Sequence, residues 1–335
     1  MRTDELAFSL PAELIAQHAA EPRDSARLLV CDRATGELRH RVFCELESEL
    51  RDDDLLVVNR TRVRPVRIRA RRESGGQAEL LLLEPQADGL WLALARPYRR
   101  LREGETVSAG PLRLTVRQRL GEGRVLVLPE GPRPLDELLD SVGEMPLPPY
   151  ITEPLAEPSR YQTVYARDPG SAAAPTAGLH FTTELWEQIG RRHQVAPVTL
   201  DVGLDTFRPL TAEIVERHEI HSERYSVPEP SAQLIETALA ERRRIVAVGT
   251  TSVRVLETVF GRRRAPLEGR SRLLITPGYE FQATGAMITN FHLPRSTLLA
   301  MVMAFAGVER TRELYRTAVS ERYRFYSFGD CSLIV

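Results

Sequence analysis

The chain has 335 residues, 42% of them hydrophobic, and a formal net charge of −1. That length supports two domains and a core that needs no disulfide staples, while the balanced charge provides no global field for nucleic acid or membrane, so a polyanion must be met by local basic patches. All 45 basic residues are arginine, which excludes a Schiff-base lysine, a phosphate-loop lysine and the strand lysine of a kinase.

The acidic N-terminal stretch, broken by Pro11, does not read as a signal peptide. Pro11 opens a short helical stretch, PAELIAQ, and Arg27–Cys31 and Leu55–Val58 read as buried strands. From Val63 to Pro148 short apolar runs alternate with Gly and Pro, the pattern of a small antiparallel barrel. Within it Val63–Arg71 alternates apolar residues with arginine, so one face is a row of arginines. The proline-rich Met145–Pro158 leads back out of the barrel. Ser231–Arg244 is an amphipathic helix, Ile245–Val248 a buried strand and Val253–Phe260 a helix. Leu273–Thr276 reads as a further strand, Ser296–Ala306 as an apolar core helix and Glu309–Arg322 as a charged surface helix. The apolar run Leu298–Ala306 is too short to cross a bilayer. The expected fold is α/β with two domains: residues 1–62 and 148–335 form an α/β catalytic domain, and 63–147 an inserted antiparallel β-barrel. Cys31, Cys44 and Cys331 are dispersed, which argues against structural zinc or a disulfide framework and fits a reducing cytoplasm.

Five runs carry candidate chemistry. In Ala172–Thr182 (AAAPTAGLHFT) small residues bracket Thr176, Ala177, Gly178 and His180, just before a helix that Thr182 can cap. His218 and His221 stand at i,i+3, with Glu223 two beyond. That cluster reads as a metal site completed by His180 or His292, as general acid/base machinery, or as a solvated polar helix end. Thr250, Thr251 and Arg254 lie in a strand–turn–helix segment whose amides suit a carboxylate or ribose oxygen, though no GxGxxG accompanies them. Asn290, Phe291 and His292 precede a proline and suit either a base edge or a capped turn. Tyr150, Arg160, Tyr161 and Gln162 combine aromatic and polar groups suited to adenine.

Taken in order, SLPAELIAQ, RDSARLLV, LLVVNRTRV, RYQTVYA, APTAGLHFT, HEIHSE, VGTTSVRVLE, TPGYEF, TNFHLPRSTLLAMV and YRFYSFGD resemble the S-adenosylmethionine:tRNA ribosyltransferase-isomerases of queuosine biosynthesis. The resemblance implies a cytoplasmic transferase and isomerase that consumes S-adenosylmethionine as ribosyl donor and requires no metal or other cofactor. Its acceptor is tRNA carrying 7-aminomethyl-7-deazaguanine, and its products are epoxyqueuosine, adenine and methionine. It implies His180, His221, Glu223 and His218 as catalytic candidates, with His180, His221 or Glu223 taking a C5′ proton acidified by the sulfonium. Thr250, Thr251 and Arg254 are expected on the methionine carboxylate or ribose, and Asn290 and His292 on adenine or the acceptor base. Thr206 and Phe207 belong to the substrate-binding set, and Arg60, Arg62 and Arg67 to the tRNA-binding set. A monomer or homodimer with no membrane contact is expected. The family reads N-D-T-R-V where this chain has Arg60 second, and T-L-H-V-G-x-G-T-F where it has Asp201 and Asp205. These exchanges leave open a second reading, in which S-adenosylmethionine is consumed on another, small-molecule acceptor.

Overall fold

The computed structural model describes residues 1–335 except Ala156, 204–209, Thr211 and His221. It divides into two compact units, one of Met1–Arg62, Pro149–Asp168 and Ala174–Val335, the other of Val63–Pro148 and Pro169–Ala173.

The first unit is built on a nine-stranded mixed sheet. At its centre Gln194–Leu200, Leu55–Asn59, Ile245–Val248 and Ala286–Asn290 lie side by side and parallel. Their sequences (QVAPVTL, LLVVN, IVAV, AMITN) are almost wholly apolar because both faces of a parallel strand are covered. One face carries Leu56, Val58, Val246, Val248 and Ile288, which pack with Ala177, Phe181, Leu185 and Ile189. The alternate residues Leu55, Val57, Ala247 and Met287 are equally buried and point to the opposite side, and the helices Glu229–Ala240 and Thr250–Val259 pack on these strands. Cys331–Ile334 pairs antiparallel with Ala286–Asn290 and parallel with Arg27–Cys31, so the last strand sits inside the sheet. Arg27–Cys31 in turn pairs with Leu38–Val42 at the sheet's end.

The second unit is a closed six-stranded antiparallel barrel. Arg67–Arg72, Gln77–Pro85, Trp91–Arg96, Arg124–Glu130, Leu112–Gly121 and Thr106–Ala109 are neighbours in that order, and Arg71↔Ser108 with Arg72↔Val107 closes the ring. Ile68, Leu80, Ala93, Leu114, Val116 and Val125 fill the interior, and Leu138 and Leu139 of the helix Leu135–Val142 join that core. Ile68 and Ala70 point inward while Arg69 and Arg71 are exposed, which is the expected arginine face.

Three local expectations fail. PAELIAQ forms only a short 3-10 turn, Ala12–Leu14. Leu273–Thr276 is not a strand; the polar Glu268–Ser271 is one instead, because it finds the free edge of Glu223–Ser226. His218 is not helical: the 3-10 turn Val215–Arg217 ends before it, and its backbone is extended.

Candidate active site

Parallel strands present their carboxyl ends on one edge, where α/β proteins bind ligands. Asn59 and Asn290 are the last residues of their strands, Leu200 of a third, and Gly249 follows the fourth. Candidate segments far apart in sequence therefore converge on one edge.

At the centre lies His180, buried at the end of the 3-10 turn Thr176–His180. That turn leads into the helix Thr183–Arg192, which Thr182 caps by accepting from the Leu185 amide at 3.2 Å. Asn290 Nδ2 donates toward the Tyr326 carbonyl at 3.1 Å and lies 3.1 Å from His180 Nε2. Because the carbonyl demands a donor, the amide orientation is fixed, and His180 Nε2 must accept. Asn290 Oδ1 accepts from Thr176 Oγ1 at 2.9 Å. His180 is thus a neutral imidazole with its proton on Nδ1. Burial pushes its pKa down to about 4, and its ring lies 5.1 Å from that of Phe43.

Gly178 is required by close packing: a Cβ there would lie 2.0 Å from Tyr165 Oη and 2.8 Å from Thr163 Cγ2. Tyr165 Oη and Thr163 Oγ1 are buried without a hydrogen-bond partner among the described residues, and so is Thr251 Oγ1 at the start of the helix Thr250–Val259. A Cβ on Gly249, whose φ is +87°, would touch Ala177 Cβ at 3.6 Å and Thr251 Oγ1 at 3.7 Å, so this turn packs directly on the His180 loop. Buried orphan hydroxyls mark positions where a polar ligand gains hydrogen bonds. Tyr150 stacks on Tyr326 with ring centroids 4.0 Å apart and bonds Ser327 Oγ at 2.6 Å. Tyr326 holds a left-handed backbone, φ +74°, a strained conformation for a bulky residue.

Other expected site residues are engaged elsewhere. Phe291 is fully buried against Tyr315, Tyr323 and Phe325 and offers no face to a base. His292 Nε2 pairs with Thr289 Oγ1 at 2.7 Å, and burial pushes its pKa down to about 3. Arg160 donates to the Ala20 carbonyl at 3.0 Å and pairs with Glu21. Tyr161 is a core residue packed edge-on to Phe328, and the carbonyl of Gln162 accepts from Arg23. Arg254 forms a buried ion pair with Glu223, whose other oxygen accepts from the Gly203 amide at 2.8 Å. Both carboxylate oxygens of Glu223 are therefore occupied, which disfavours it as a base. Desolvation lowers the pKa of the half-buried His218. His221, Thr206, Phe207 and Asp205 lie outside the described residues. Among the described residues no group of three His, Cys, Asp or Glu is gathered as for a metal ion.

The unusual charges are met locally. Arg60 pairs with Asp168 at 2.6 Å, and Asp168 also accepts from Thr199 Oγ1 at 2.7 Å. Asp201 takes Arg224 at 2.8 Å and Thr61 Oγ1 at 3.1 Å. Asn59 ties the edge together: its amide donates to the Leu200 carbonyl at 2.9 Å and accepts from the Leu200 and Thr61 amides. Arg67 pairs with Glu79 at 2.7 Å, so of the three expected tRNA-binding arginines only Arg62 is both exposed and without a described charge partner. Thr163 and Tyr165 fall in the run Arg160–Tyr165, whose aromatics suit adenine, and Tyr326 in YRFYSFGD; their orphan hydroxyls and the left-handed backbone of Tyr326 exist only in the fold.

The two buried neutral histidines make stability pH-dependent. Their folded values of about 4 and about 3 lie below the ordinary 6.5, so the unfolded chain binds protons that the folded chain refuses. Their contribution is whole above pH 7 and lost as pH falls, by about 2 kcal/mol per ring at pH 5. Urea denaturation at pH 7.5 and 5.0 should show this loss, and H180Q/H292Q should lose less stability over the same interval. An equal loss in both proteins would refute the assignment.

The mixed sheet, the carboxyl-edge site and the inserted barrel define a two-domain α/β enzyme. A family profile described as Queuosine biosynthesis protein matches residues 3–334. An S-adenosylmethionine:tRNA ribosyltransferase-isomerase of Rubrobacter xylanophilus is 54% identical over 339 residues, covering 100% of this chain and 98% of the relative. One of Desulfitobacterium hafniense is 47% identical with full coverage of both. The crystal structure of an S-adenosylmethionine tRNA ribosyltransferase from Thermotoga maritima is similar with a TM-score of 0.57 and 36% identity, covering 99% of this chain and 100% of that one. The chain belongs to the queuosine biosynthesis family.

Proposed function

We propose that this chain transfers the ribosyl part of S-adenosylmethionine to 7-aminomethyl-7-deazaguanine in tRNA and isomerises it, giving epoxyqueuosine, adenine and methionine in the cytoplasm. The observation that carries the reading is the convergence of Thr176, His180 and Asn290 with the Gly249–Thr251 turn on the carboxyl edge of the parallel strands, in a member of this family.

A neutral His180 does not repel the sulfonium cation, and at pH 7 it stays neutral. With Nε2 held by Asn290, its Nδ1–H is a donor to a ribose oxygen or to the departing adenine. The orphan hydroxyls of Thr163, Tyr165 and Thr251 bind polar groups of the donor substrate, and Thr250 and Thr251 meet its carboxylate at the helix N-terminus. Removal of the C5′ proton falls to the segment that holds His218 and His221, since Glu223 is held by Arg254 and Gly203. With Arg60 and Asp201 each neutralised by a neighbour, neither residue favours a different acceptor. The test is to incubate the protein with S-adenosylmethionine, with and without tRNA bearing the aminomethyl base. Adenine and methionine release should require that tRNA; release without it would overturn the acceptor.

A further inference from the structure

One end of the barrel carries a concentrated positive charge with little to offset it. Arg96, Arg99, Arg100 and Arg102 lie on or beside the turn after Trp91–Arg96, and Arg117 and Arg119 on the strand Leu112–Gly121; all six are exposed. The two segments are held together. The Arg119 guanidinium lies over the Tyr98 ring, 4.3 Å from its centroid. The Gly121 amide donates to Tyr98 Oη at 3.0 Å, the Arg119 amide to Glu103 Oε1 at 2.8 Å, and the Gly104 amide to the Val116 carbonyl at 2.8 Å. The neighbouring acids are engaged: Glu79, directly across from Arg96, pairs with Arg67, Glu105 is taken by Arg72, Glu122 lies 3.5 Å from Arg124, and Glu103 holds the Arg119 amide. Among the described residues no carboxylate pairs with the guanidinium of Arg96, Arg99, Arg100 or Arg117. Leu120 adds one of two exposed large hydrophobic residues of the described chain.

We infer that this end of the barrel binds the phosphate backbone of the tRNA acceptor. The inference rests on the acceptor proposed above. Arginine forks match phosphate oxygens in pairs, and an arginine-stacked tyrosine beside an exposed leucine provides an apolar surface for an unstacked base. Arg67 and Arg69 are less suited, because they are paired with Glu79 and Glu144. A membrane is the other polyanion such a patch suits, but a single exposed leucine gives little to insert in a bilayer.

The test is fluorescence anisotropy of the full chain with labelled tRNA carrying 7-aminomethyl-7-deazaguanine, across a salt series. R99S/R117S removes two phosphate contacts, so its affinity should fall at least about tenfold and its salt slope by about 2. Its affinity for S-adenosylmethionine and its Tm should be unchanged. R312S/R316S, on the helix Val308–Ser320, should bind tRNA like the parent. Parent-like affinity and slope in R99S/R117S would overturn the surface while leaving the acceptor intact. A parent protein that binds S-adenosylmethionine but not tRNA would overturn the acceptor and the surface with it. Binding of phosphatidylserine vesicles that R99S/R117S loses, with tRNA affinity retained, would reassign the patch to membranes.

Discussion

Replacing His180 by alanine is expected to lower turnover by about 10²–10⁴-fold, the range for loss of a positioned proton donor or acceptor. The ring's partners make the expectation specific. Asn290 holds Nε2, Thr176 holds Asn290, and the Tyr326 carbonyl fixes the amide. H180A should therefore lose kcat while keeping most of its affinity for S-adenosylmethionine, whose polar groups meet other hydroxyls. It should also still exchange the C5′ hydrogen with solvent, because proton removal is assigned to the His218–His221 segment. H221A should lose that exchange. If H180A abolishes C5′ exchange along with turnover, His180 is the base and the Asn290 contact must break when substrate binds. N290D provides a further readout. A carboxylate against Nε2 favours the imidazolium and repels the Tyr326 carbonyl, so the pH at which His180 titrates should rise and kcat should fall near neutrality. Parent-like turnover in H180A would remove it from the mechanism altogether.

Replacing Arg254 by methionine is expected to destabilise the protein by about 3–5 kcal/mol, since it strands the Glu223 carboxylate in a dry site. Both side chains are buried, and desolvation already lowers the Arg254 pKa to about 10. Removing both charges leaves nothing uncompensated, so R254M/E223Q should regain most of the loss in urea denaturation. The double variant also separates two roles. Retained S-adenosylmethionine affinity assigns the pair to support of the helix Thr250–Val259; a tenfold loss returns Arg254 to the carboxylate role its sequence context suggested. No recovery in the double variant would show that the pair's geometry matters more than its charge balance.

In the sheet, Leu55–Asn59 and Ile245–Val248 were legible as short apolar runs, whereas Gln194–Leu200, interrupted by Pro197, and Ala286–Asn290, ending in the polar Thr289 and Asn290, did not read as strands. The barrel was legible because glycine and proline punctuate its alternating runs. Glu268–Ser271 was not, since its strand state comes from an open neighbouring edge and not from its own residues. A shared face for His218 and His221 depended on a helix, and the extended backbone at His218, just after the 3-10 turn Val215–Arg217, does not begin one. For the site, Thr176, His180 and Asn290 were individually visible as polar residues in loops and at strand ends. Their mutual arrangement was not, because a hydrogen bond spanning 110 positions leaves no local pattern. The same holds for Arg60 and Asp201. In the sequence they were isolated exchanges of charge; in the fold Asp168 and Arg224 answer them.

The position of Cys331–Ile334 has a consequence for how the protein is made. This strand lies between Ala286–Asn290 and Arg27–Cys31, so the hairpin of Arg27–Cys31 and Leu38–Val42 joins the sheet only through a strand synthesised long after it. Until synthesis has passed residue 334, the nascent chain carries two unfinished sheet edges that other chains can pair with. A chain interrupted before residue 331 would therefore be not a shortened enzyme but a substrate for chaperones and proteases.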